Sequence, residues 1–194
     1  MDLKHSERKT RDGRRNRSIL TRAARGASCR PFDSFGGEEQ MNVSILSRTE
    51  AEHLLKAGTF PGNAAVISFY SPGKVKAGDY TPVEYGHAPK RLYYACVPDI
   101  DIEALEHFGY TYDSYFSDAD ELAAFICGAV KDGLDIVCQC DYGQSRSAAC
   151  AAAILEWFEK RGITVFADYR YYPNQLVFNR ILEALGRVCP RDGE

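Results

Sequence analysis

The residues with the most chemistry in them stand together in Cys140-Asp141-Tyr142-Gly143-Gln144-Ser145-Arg146-Ser147. A cysteine followed six positions later by an arginine, with a glycine between, can curl so that the intervening backbone N–H groups converge on one anion. Arg146 adds a planar fork matched to two phosphoryl oxygens, a geometry that an ammonium group lacks. The same electropositive surroundings favour the thiolate of Cys140 and make it a nucleophile. Ser147 carries a hydroxyl that can hydrogen-bond the sulfur and help it leave. The spacing alone is common, since seven Cys and 16 Arg in 194 residues give about 0.6 matches by chance. Context therefore decides.

That context is a strand, a turn and a helix. Residues 135–140 form an apolar run expected to be a buried strand, and the Ala-rich stretch from about Arg146 to Arg161, ended by Gly162, has the character of a helix. An anion held between them meets the positive end of the helix. Elsewhere, Val43 and Ile45 alternate with polar neighbours as in a short strand. Ser47-Arg48-Thr49-Glu50 is a capping box that opens a helix running to Lys56 and stopping at Gly58. Residues 64–70 and 91–97 are further strands, the first followed by a long Gly/Pro loop. Ser117 is the expected cap of a helix closing near Gly133, and a last helix is expected from Pro173, a good first-turn residue, to Gly186. Strands alternating with helices imply an α/β fold: a central, mostly parallel sheet of four to five strands flanked by helices. The site then lies beyond the carboxyl ends of the strands.

The run from Ile136 to Ala149 resembles the signature of the cysteine-dependent protein tyrosine and dual-specificity phosphatases, most of all their small bacterial and phage members. Tyr172-Pro173-Asn174-Gln175-Leu176-Val177-Phe178 is similar to the Pro-Asn helix start that follows the signature in those domains. The resemblance spans roughly residues 42–187. It implies a phosphatase-type phosphate-binding loop between central strand and helix, in which Asp141, Tyr142, Gly143, Gln144, Ser145 and Arg146 hold the phosphoryl group. It also implies a phosphocysteine intermediate on Cys140, with Ser147 assisting the sulfur. One position departs, because the family usually has His before the nucleophile and here it is Gln139.

Members of that family protonate the leaving oxygen with an aspartic acid from a loop after an earlier strand. Asp99, directly after the strand expected at 91–97, is the first candidate; Asp101 is the second, and Asp113 and Asp118 stand behind them. Asn174 is placed by the resemblance to bond backbone near the site, and as an Asn at a helix start it is also an ordinary cap. Cys138, two residues before Cys140 and so on the same strand face, is either a resolving thiol or a core residue. Cys96 and Cys127 are expected to be small core residues. Cys138-x-Cys140 has no matching second pair of Cys or His, and His53, His87 and His107 show no ligand spacing. No metal site is therefore expected, and no cofactor is required. The tyrosines at 93, 94, 110, 112, 115, 169, 171 and 172 are either cleft or packing residues.

The formal charge of −3 hides a division. Residues 1–30 carry ten Lys/Arg against Asp2, Glu7 and Asp12, a net +7, which leaves −10 for residues 31–194. Residues 1–40 cannot bury enough apolar surface to fold alone, and are expected to be a disordered basic extension. That extension is read either as an arm for nucleic acid or an acidic surface, or as a solvated tail or upstream extension before Met41. Residues 41–187 are the expected phosphatase-like domain and 188–194 its tail. The acidic balance of the domain disfavours nucleic acid. The longest apolar run, 148–155, falls far short of the roughly 20 residues of a membrane helix, so no membrane partner is expected. With no apolar leader after the basic start, the expected setting is a reducing cytoplasm with free cysteines. The expected partner is a phosphorylated protein or another phosphomonoester. The alternative is a catalytically weak module that binds phosphorylated partners without hydrolysing them, with a thiol redox protein using Cys138 and Cys140 as a third reading. Oligomeric state is not legible.

Overall fold

Four stretches rich in β-branched and aromatic residues each find a parallel partner in the computed structural model, which describes residues 41–73, 78 and 80–190. β1 (Val43–Ser47), β2 (Ala64–Tyr70), β3 (Arg91–Cys96) and β4 (Asp135–Cys140) lie in the order β1-β4-β2-β3. Every pair is parallel, with Ser47 opposite Cys140 and Ser68 opposite Gln139. The expected sheet of four to five mostly parallel strands is thus one of four, all parallel, among the described residues. The extension at 1–40 and residues 191–194 of the tail lie outside the described residues.

Parallel pairing needs a crossover each time, and the crossovers cover both faces of the sheet. One face carries Ile67, Phe69, Ile136, Cys138 and Cys140, packed against Leu122, Ile126, Ile154, Ile181 and Leu185. These come from α3 (Ala119–Lys131), α4 (Arg146–Glu159) and α6 (Gln175–Val188). Val66 and Val137 point to the other face, against Ala51 of α1 (Arg48–Lys56) together with Phe60, Val83 and Tyr85. Each fully buried side chain of this size contributes about 2 kcal/mol. Two covered faces explain why β2 reads as a nearly unbroken apolar run and why β4 is apolar over residues 136–138.

The capping box at Ser47 and Glu50 forms in both directions and starts α1 directly at the end of β1. Other boundaries differ from the sequence reading. The N-cap of α3 is Asp118, and Ser117 instead donates its hydroxyl to the Asp118 carboxylate at 2.6 Å. α4 ends at Glu159 because Lys160 takes the left-handed conformation that was expected of a glycine. α6 begins at Gln175 under an Asn174 cap and runs on through Gly186 to Val188, so Pro173 precedes the cap. The one-turn helices α2 (Tyr112–Tyr115) and α5 (Ile163–Phe166) were not foreseen, since four residues carry no helical period. Cys96 is exposed, not core: β3 is an edge strand and Cys96 lies at its end. Cys127 is buried. No helix among the described residues is long and apolar enough to cross a membrane.

Candidate active site

Cys140 is the last residue of β4 and Arg146 the first of α4, so the loop 141–145 spans the gap between an inner strand and a helix start. Two features of β1 and α1 brace that loop. The Arg48 N–H donates to the Asp141 carbonyl at 3.1 Å, continuing the β1–β4 ladder by one step. Gly143 has φ +70°, and a Cβ there would lie 2.6 Å from the Ser47 nitrogen. Only glycine satisfies both the conformation and the close approach. On the far side, the Tyr172 N–H donates to the Gln144 carbonyl at 2.9 Å, which ties the approach to α6 to the same loop.

Cys140 is 2% exposed, and its Sγ lies 3.0 Å from the Ser147 hydroxyl, within hydrogen-bonding distance. Arg146 is also 2% exposed. Its Nη1 is anchored by the Val97 carbonyl at 2.8 Å and the Ser71 hydroxyl at 3.0 Å. The other edge of the guanidinium is much less occupied. Nη2 makes a long 3.4 Å contact with Asp141 Oδ2, and Nε has no hydrogen-bond partner, its nearest carboxylate oxygen being Asp99 Oδ2 at 3.6 Å. A buried charged donor left unpaired is costly, and an acceptor arriving there would satisfy it.

Gln139 lies beneath the loop, 1% exposed, on the face opposite Cys140. Its Oε1 accepts from Ser68 Oγ at 2.6 Å and Tyr85 OH at 3.1 Å, and its Nε2 donates to the Cys140 carbonyl at 2.7 Å. Carbonyl and following N–H point oppositely in a trans peptide, so this bond turns the Asp141 N–H to the other side of the chain. The site holds a neutral amide where the family resemblance implied an imidazole. Burial pushes the Tyr85 hydroxyl well above the ordinary tyrosine range, which keeps it a donor.

Asp99 reaches the loop from the end of β3. Its Oδ1 accepts from Ser145 Oγ at 2.6 Å and from Asn174 Nδ2 at 3.1 Å, and its side chain is one-third exposed. Asn174 also donates to the Ile100 carbonyl and accepts from the Val177 N–H, so one amide caps α6 and holds the Asp99 segment. The other aspartates are placed differently. Asp101 is exposed at the N-cap position of a 3₁₀ turn without a side-chain cap bond, Asp113 pairs with Arg180 at 3.3 Å, and Asp118, at the N-cap position of α3, accepts from the Ser117 hydroxyl. Cys138 is fully buried and its thiol neighbour is Cys150 of α4, whose own pKa is pushed up by burial. Tyr142 stands 75% exposed on the loop.

Sequence reasoning missed Ser71, Tyr80, Ser68 and Tyr85. Ser71 and Ser68 were open to discovery, because a strand's carboxyl end in a parallel sheet is where a site collects side chains. Tyr80 and Tyr85 carried no signal, lying in a long connection with no period. Among the described residues no group of three or more His, Cys, Asp or Glu could hold a metal ion.

No family model and no curated protein matches the chain. Solved structures of PTPMT1 are similar to it. One, in complex with PI(5)P, is 11% identical with a TM-score of 0.45, covering 76% of this chain and 92% of its own. Another is 13% identical with a TM-score of 0.44, covering 76% and 91%.

Proposed function

We propose that the chain is a phosphomonoester hydrolase of the protein tyrosine or dual-specificity kind, acting through a phosphocysteine. The observation that carries this reading is the half-occupied guanidinium of Arg146: one edge anchored, the other buried, without a hydrogen-bond partner at Nε and adjacent to the loop that begins at a buried Cys140. A phosphoryl group with two oxygens on Nε and Nη2 satisfies that fork, while the loop amides of 141–146 and the α4 N-terminus hold the remaining charge.

In the first step the Cys140 thiolate attacks phosphorus in line. The S–P bond forms, the ester P–O bond breaks, and Asp99 gives its proton to the leaving oxygen. In the second, the Asp99 carboxylate takes a proton from water as that water attacks phosphorus. The S–P bond breaks, Ser147 hydrogen-bonds the departing thiolate, and inorganic phosphate leaves. Rate enhancement is positioning and charge stabilisation, with no metal or organic cofactor in the scheme. The partner is a phosphorylated protein or another phosphomonoester.

The test is hydrolysis of 4-nitrophenyl phosphate by the full chain. Activity is expected to be blocked by vanadate and to fall by about 1,000-fold or more in Cys140→Ser. An undiminished rate in that variant overturns the proposal. Binding of a phosphotyrosine peptide by the unaltered chain with no phosphate release points instead to a phosphate-binding module.

A further inference from the structure

We infer that Asp141 decides which phosphomonoesters the site accepts: its carboxylate shares the Arg146 fork with the incoming phosphoryl group, favouring substrates whose phosphate sits in a neutral or cationic setting. This rests on the phosphatase reading above and gives it a substrate class.

The carboxylate is locked in place. Asp141 Oδ1 accepts from Tyr80 OH at 2.7 Å, and its backbone carbonyl accepts from the Arg48 N–H. The Tyr80 ring lies 4.7 Å from the Arg48 guanidinium, which in turn donates to the Thr81 carbonyl at 2.7 Å. Burial and the neighbouring Asp141 carboxylate push the Tyr80 hydroxyl up to about 12, so it stays a donor. With one oxygen held by Tyr80, the other rests 3.4 Å from Arg146 Nη2, longer than the 2.7–2.9 Å typical of a closed charge-assisted bond. Asp141 is therefore kept beside the fork without filling it.

Asp99 stands on the other side, 3.6 Å from Nε. One buried guanidinium is thus bracketed by two carboxylates. Among the described residues, Arg48, whose guanidinium lies over the Tyr80 ring, is itself paired with Glu52 at 2.7 Å. A phosphoryl group can displace the loose contacts, because two direct bonds to the fork replace them. A second anionic group beside that phosphate meets the Asp141 carboxylate at a distance where screening is incomplete. A nearby cation is attracted by the same charge. The locked Asp141 is thus a filter on the surroundings of the phosphate.

The experiment compares the full-length chain with Asp141→Asn and Tyr80→Phe. Inorganic phosphate affinity is measured by calorimetry, and kcat/KM on 4-(aminomethyl)phenyl phosphate and 4-carboxyphenyl phosphate. The Asn variant keeps an acceptor for Tyr80 but loses the charge: phosphate is expected to bind about tenfold tighter, and the preference for the cationic ester to shrink about fivefold. Tyr80→Phe removes the bond that draws Asp141 Oδ1 away from Arg146 and lets the carboxylate approach the fork more closely, so phosphate is expected to bind more weakly. Phosphate affinity and ester preference both unchanged in a folded Asp141→Asn overturns the inference while leaving the phosphatase reading intact. Should that variant fail to fold, phosphate affinity unchanged or tighter in Tyr80→Phe overturns it instead. A wild-type chain that neither binds phosphate nor cleaves either ester overturns the underlying reading.

Discussion

The two polar groupings that touch the loop are built on opposite plans. Beneath it, Gln139, Ser68 and Tyr85 are buried, and the Gln139 amide bonds both hydroxyls and the Cys140 carbonyl. Above it, Asp99 is one-third exposed, held by Ser145 and Asn174 and facing a guanidinium edge whose Nε lacks a hydrogen-bond partner. A sealed, satisfied network fixes geometry and resists change, because any unpaired member is costly in a low-dielectric interior. A solvent-reachable carboxylate beside an unsatisfied donor can exchange partners and protons. The floor is suited to positioning and the rim to chemistry, and single substitutions can separate the two.

The largest effect belongs to the rim. Asp99→Asn keeps the size and an acceptor for Ser145 and Asn174 but cannot carry the proton. On phenyl phosphate, whose leaving group needs that proton, kcat/KM, which reports the steps up to the phosphocysteine and not its hydrolysis, is expected to fall about 100- to 10,000-fold. On 4-nitrophenyl phosphate, which leaves readily as an anion, the loss is much smaller, and urea stability is expected to stay near wild type. Equal losses on the two esters would remove Asp99 as the acid.

The floor answers differently. Gln139→Leu leaves the Ser68 and Tyr85 hydroxyls and the Cys140 carbonyl without their partner, and burying such groups unpaired is expected to lower stability by about 3 kcal/mol. Urea unfolding reads this directly. Since the same amide orients the first peptide of the loop, phosphate affinity is expected to weaken as well. Full stability in this variant contradicts a floor held by that network.

This contrast explains what could be read from the residues. The loop is local: strand, five residues and helix are contiguous, so chain chemistry alone brings Cys140, Arg146 and Ser147 to one place. Asp99 was reachable through topology, because a parallel sheet gathers the carboxyl ends of its strands on one side. Gln139 could be recognised only as a departure from a pattern. Its meaning depends on Ser68, 71 positions away, and Tyr85, 54 positions away, and no sequence period links them. Tyr80 and Asp141 are likewise 61 positions apart. Helix limits failed where conformation overrode residue type, as at Lys160, whose positive φ closes α4 without a glycine.

The smallest effect isolates one bond of the floor. In Tyr85→Phe the ring keeps its edge contact with Phe60, 5.4 Å between centroids, and Gln139 Oε1 keeps the shorter bond from Ser68. Stability at neutral pH is expected to fall by about 1 kcal/mol, with kcat nearly unchanged. The alkaline side sharpens the test. Burial holds the Tyr85 hydroxyl protonated in the folded chain after its unfolded counterpart has begun to ionise near pH 10. Below that pH its contribution is complete, and above it stability drains away by up to about 1.4 kcal/mol per pH unit, because the unfolded state releases a proton that the folded state retains. The phenylalanine variant lacks that proton. Its disadvantage relative to wild type is therefore expected to shrink between pH 9 and pH 11 in matched urea titrations, whereas a constant difference would mean that the hydroxyl is not held protonated beneath the loop.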